Sequence, residues 1–97
     1  MAISTERNAQ CWRIELSGRF DFSCRTDFRA SYVDAPEGTH FQVDLSRVDY
    51  VDSSALGMLL LLRDRAGDGS RVRISGCRGQ PEQVLRIANF QRLFRFE

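Results

Sequence analysis

Apolar and polar residues alternate from Cys11 to Ser17: Trp12, Ile14 and Leu16 fall on one side, and Arg13, Glu15 and Ser17 on the other. A period of two predicts a half-buried strand, closing at Gly18. A weaker segment around Ala2-Ile3-Ser4 predicts another strand before it. Phe28 and Tyr32, four apart, predict a short helix over residues 25–33, and Pro36-Glu37-Gly38 a turn. Phe41, Val43 and Leu45 alternate again and predict a strand. Residues 53–65 then carry an apolar block from Ala55 to Leu62, with Asp and Ser cap candidates in front and Arg63, Arg65 and Gly67 behind; this is the best helix in the chain. A short strand over 71–76 follows. Next comes a helix opened by Pro81, with Val84, Leu85 and Ala88 as its buried stripe, and the tail at 92–97 predicts a last strand.

That order of elements in one short chain predicts an α/β fold with a mixed sheet of four or five strands. Parallel neighbours need right-handed helical crossovers. The polar side of the 11–17 strand leaves one sheet face wet, so the helices are expected mainly on the other. A length of 97 residues suits a single domain, 1–97.

Charge removes whole classes of function. Fourteen arginines stand against 13 acidic residues, a net charge of +1, which gives no electrostatic case for nucleic acid or for an anionic membrane. The longest apolar run is far short of the roughly 18–20 residues needed to span a bilayer, and MAISTERNAQ has no apolar signal core, so direct membrane insertion is not expected and a cytoplasmic location is. Cys11, Cys24 and Cys77 are odd in number and lack CxxC spacing; they read as reduced thiols in or near the core. His40 is the one histidine, and HExxH, GxSxG and P-loop patterns are absent. Neither catalysis, a metal nor a cofactor is expected.

The informative stretch is Val51-Asp52-Ser53-Ser54-Ala55-Leu56-Gly57. Asp52, Ser53 and Ser54 are all N-cap types, and capping accounts for any one of them. Capping does not demand three in a row, and no Glu or Gln completes a capping box. A hydroxyl at this corner is also placed for modification: a phosphate there meets backbone N–H groups and the positive end of the helix, so the fold should survive while the surface changes. Gly57, at a cost of ~1 kcal/mol inside a helix, implies either close packing on the sheet or close approach of a partner, and packing is the simpler of the two. The apolar block exceeds one buried stripe, so a neighbouring helix covers its second side or part of it binds protein.

The segment VDLSRVDYVDSSALGMLLLLRDRAG resembles the signature of STAS domains, in particular the single-domain anti-sigma factor antagonists of bacteria. SGRFDF is similar to the family's GxLD element, and IANFQRLFRFE to its closing segment. The resemblance implies the STAS fold and a phosphoacceptor at Ser53, with Ser54 as second choice. It implies a partner surface made of Asp21, Asp52, Ser53, Ser54, Ala55, Leu56 and Gly57. The implied partners are an anti-sigma factor with serine kinase activity and a PP2C-type phosphatase; nucleotide and magnesium would belong to the kinase. Ala55 departs from the family's usual glycine. The same resemblance also admits an accessory subunit of a lipid-transport complex that binds its ATPase constitutively.

Overall fold

A computed structural model describes residues 2–97. Five strands form one sheet in chain order: β1 (Ala2–Arg7), β2 (Cys11–Phe20), β3 (His40–Val51), β4 (Val72–Ser75) and β5 (Arg95–Phe96). β1 runs antiparallel to β2, and the remaining neighbours are parallel. The crossovers carry α1 (Arg25–Ala30), α2 (Ser53–Ala66) and α3 (Gly79–Ile87). The fold is therefore the expected mixed α/β sheet with helices on one face. Trp12, Ile14 and Leu16 of β2, Phe41, Val43 and Leu45 of β3, and Val72 and Ile74 of β4 are buried on that face with Leu59, Leu62 and Leu85 from the helices. Each such aliphatic side chain contributes about 1.5–3 kcal/mol relative to exposure.

The opposite face is polar, as the alternation required. Arg13 pairs with Glu15 at 2.9 Å and with the buried carboxylate of Asp44, and Gln42 reaches Ser75 at 3.1 Å. Burial pushes the Asp44 carboxyl up, but hydrogen bonds from Ser46 and the charges of Arg13 and Arg47 outweigh it and hold the group below its ordinary value.

Several element ends differ from expectation. β2 continues through Gly18 to Phe20, because the glycine takes φ +84° beside two register shifts and bends the strand instead of ending it. β3 runs seven positions beyond β4, whose pairing covers only Phe41 to Asp44. α1 ends at Ala30, one turn early, where the Ser31 hydroxyl turns back onto the Phe28 carbonyl. Pro81 is the third residue of α3 rather than its opener, and within the expected stripe Leu85 is fully buried while Val84 and Ala88 are half-buried. The tail forms a strand at Arg95–Phe96 alone, after a 3-10 turn at Phe90–Arg92.

Candidate functional site

β2 and β3 end side by side, with Phe20 opposite Val51. The next residue of each chain segment is an aspartate, and each aspartate closes a turn. Asp52 caps α2: its carboxylate accepts from the Ser54 N–H at 3.0 Å, the Ala55 N–H at 3.2 Å and the Ser54 hydroxyl at 2.5 Å. Two N–H groups that a helix start leaves without partners are thereby satisfied. Asp21 does the same for the 3-10 turn Phe22–Cys24, accepting from the Ser23 N–H at 3.0 Å and the Ser23 hydroxyl at 2.5 Å. The hydrogen bonds from Ser23, followed in weight by the Arg19 charge, hold the Asp21 carboxyl below its ordinary value.

The outer side of Val51 faces no strand, since β4 has already ended. Gln80 supplies the missing partner. Its Oε1 accepts from the Val51 N–H and its Nε2 donates to the Val51 carbonyl, both at 2.9 Å. The chain returns from β4 through Gly76, at φ +71°, where a Cβ would lie 2.6 Å from that of Ser46. Val51, the residue before Asp52, is thus held by β2 on one side and by the Gln80 amide on the other, which supports the corner.

The corner sorts the two candidate acceptors. Ser54 is half-buried and its hydroxyl is tied to Asp52, whereas Ser53, the first residue of α2, is exposed and makes no side-chain hydrogen bond among the described residues. Ser53, Gly57, Leu60, Leu61 and Asp64 form the outward stripe of the helix, at the i, i+4, i+7, i+8 and i+11 spacing of one face. A Cβ built on Gly57 would meet nothing within 4 Å, so the expected packing reason for this glycine does not hold; it lies in the open. Leu61 is 56% exposed and Leu60 38%, while Met58, Leu59 and Leu62 are buried. A neighbouring helix therefore covers only part of the apolar block.

Asp21 on one side and Asp52, Ser53 and Ser54 on the other follow the neighbouring ends of β2 and β3. Leu56 is half-buried. Ala55 is fully buried against the sheet and has no surface to offer a partner; it seats the helix instead. Phe22, 61% exposed one residue after Asp21, escaped the sequence reading although it lies in the same corner. The Arg25 guanidinium lies 5.4 Å from the centre of its ring. The signal was available. Asp-x-Ser occurs at Asp21, Asp44, Asp52 and Asp68, and each time the serine N–H donates to the aspartate side chain. Gln80, 29 positions from Val51, left no local signal. Burial raises the thiols of Cys24 and Cys77, the latter to about 11, in keeping with small apolar side chains at the core.

The family description "Mlab, STAS domain" matches residues 3–95. The chain belongs to the STAS domain family. A STAS-domain containing protein of Pseudomonas aeruginosa is 44% identical over 84 residues, covering 84% of this chain and 83% of that one. An anti-sigma factor antagonist from Mycobacterium paratuberculosis superposes with TM-score 0.81 at 16% identity, over 98% of this chain and 83% of the other. The anti-sigma factor antagonist SpoIIAA in its unphosphorylated form gives 0.74 at 16%, over 99% and 87%, and a sulfate transporter family protein from Wolinella succinogenes 0.71 at 20%, over 92% and 77%. No helix among the described residues is long and apolar enough to cross a membrane.

Proposed function

We propose that this STAS domain is an anti-sigma factor antagonist that binds its partner across the outward face of α2 and is switched off by phosphorylation of Ser53. The observation that carries the reading is the shared stripe: a free hydroxyl, an open glycine and two exposed leucines lie on one helical face. A partner element can approach the helix closely over Gly57 and bury Leu60 and Leu61. A phosphate on Ser53 would bring roughly −1.5 to −2 charges to one end of that stripe, next to Asp52. At a helix N-terminus the added charge is tolerated by the fold. Its cost falls on the partner, which would have to desolvate it. The partner in this reading is an anti-sigma factor with serine kinase activity, and a PP2C-type phosphatase restores the binding form.

A second reading keeps the surface and drops the switch: an accessory subunit of a lipid-transport complex that binds its ATPase constitutively. The matching family description, Mlab, is not that of the anti-sigma factor antagonists among the structural neighbours, and this supports keeping it. One experiment separates the two. Ser53→Ala should bind the anti-sigma partner constitutively, and Ser53→Asp should weaken binding by about tenfold or more, ~1.4 kcal/mol, with the melting point nearly unchanged. Intact-mass analysis of protein from its native cells, with phosphatases blocked, should place a phosphate on Ser53. Unmodified protein in every growth state, with both variants binding alike, would overturn the switch in favour of the second reading.

A further inference from the structure

We propose that the groove between α1 and α2 is a second docking site, taking an acidic amphipathic helical segment of a protein partner. The groove encloses about 540 Å³, and its floor is Phe28, Tyr32 and Met58. On its rim stand two apolar side chains left in water, Val33 at 46% exposure and Leu61. Among the described residues nothing covers them. Leu61 also belongs to the outward stripe of α2, so the groove and the stripe form one continuous apolar surface. An apolar strip of this kind fits the residues that one helix face presents at i, i+3, i+4 and i+7.

The charge around the groove selects the occupant. Arg25, Arg29 and Arg65 border it, against Asp64 alone, and none of these four forms an ion pair among the described residues. Arg65 is anchored on the Ala35 carbonyl and Arg25 lies over Phe22, so both are held in place with their charge unneutralised. Arg29 and Arg65 are close enough to the Tyr32 phenol to favour its ionised form, against the larger, opposing effect of burial. Two anchored cations and a third, Arg29, over an apolar floor favour a segment carrying glutamates or aspartates beside its apolar face, and disfavour a basic one.

The test uses the full chain and two synthetic 16-residue peptides of one leucine pattern, with glutamate at the remaining positions in one and lysine in the other. Fluorescence anisotropy at low salt should show the glutamate peptide binding at least about tenfold more tightly than the lysine peptide, with affinity falling as salt rises. Leu61→Ser should weaken binding severalfold, and Arg29→Glu, which leaves two cations against two carboxylates, should largely abolish the preference between the peptides. Both side chains are exposed, so the melting point should hold in each variant. Equal binding of the two peptides, absence of binding, or indifference to both substitutions would overturn the proposal. Concentration-dependent dimerisation abolished by Leu61→Ser would overturn it too, by assigning the groove to a second copy of the chain.

Discussion

Asp21 and Asp52 stand at the ends of neighbouring strands and close the same turn, yet the two corners expose different chemistry. Each carboxylate takes the N–H and the hydroxyl of the serine two positions on. The residue between is turned outward in both: Phe22 in one, Ser53 in the other. The elements behind the two corners differ as well. The first corner leads into a single 3-10 turn and six residues of α1, the second into the 14-residue α2. Among the described residues, only the second has its preceding strand residue clamped by a side chain from another helix. The same backbone device therefore presents an apolar ring on a short support and a hydroxyl on a long, rigid one. A ring can add only binding area. A hydroxyl can be covered, left free or converted into a doubly charged group, and that conversion is informative only if the backbone beneath it stays still.

The clamp is the sharpest difference, and its removal should have the largest effect. Gln80→Leu keeps the bulk of the side chain but leaves the Val51 N–H and carbonyl without their partner. Val51 is 1% exposed, so water does not readily replace the amide. The expected loss is about 2–3 kcal/mol by urea denaturation, with faster hydrogen exchange at Val51 and little change at Phe20. A loss under about 0.5 kcal/mol, the range of an ordinary surface substitution, would show that the corner needs no clamp and that the two ends are equally supported.

Capping should separate the corners next. Asp52→Ala removes the acceptor for two N–H groups of a long helix and should cost about 1–2 kcal/mol. Asp21→Ala caps only a 3-10 turn and should cost less. Equal losses would mean that the carboxylates stabilise the turns themselves rather than the helices behind them.

The sequence carried much of this comparison, and its failures have identifiable causes. Alternation in 11–17 and 41–45, and the apolar block after Ser54, were enough for the order of strands and helices because those patterns record which face is buried. The corner at Asp52 was legible because three capping residues in a row are more than a helix start requires. Its twin at Asp21 was read only through resemblance, since Phe22 looks like a core residue in one dimension. Gln80 and the open environment of Gly57 depend on what lies across the fold. No local pattern encodes that, and the helix's excess of leucines was divisible into buried and exposed sets only once its orientation was known.

Gly57 offers a test in which stability and binding should move in opposite directions. With nothing within 4 Å of the added methyl, Gly57→Ala should stabilise the protein by up to about 1 kcal/mol through helix propensity. If a partner element lies close over the stripe, the same methyl should weaken its binding. Gain of stability with unchanged affinity would move the partner off this part of α2, toward the Phe22 corner.

The smallest effect should come from acid. The Asp21 carboxyl is held low by the hydrogen bonds of Ser23 and by Arg19, so the folded state binds its proton less readily than the unfolded chain. The contribution is complete above the ordinary carboxyl value of 3.8 and is lost as pH falls through the lower, folded-state value. Asp21→Asn retains an acceptor for the turn but cannot titrate. Its melting point should therefore lie slightly below that of the parent at neutral pH, and the gap should close on acidification below pH ~4. Asp44 titrates in both proteins and cancels in the difference. A gap that stayed constant from neutral to strongly acidic pH would mean that the turn responds to the shape of the side chain and not to its charge, and the Asp21 corner would then have nothing electrostatic in it to set against Ser53.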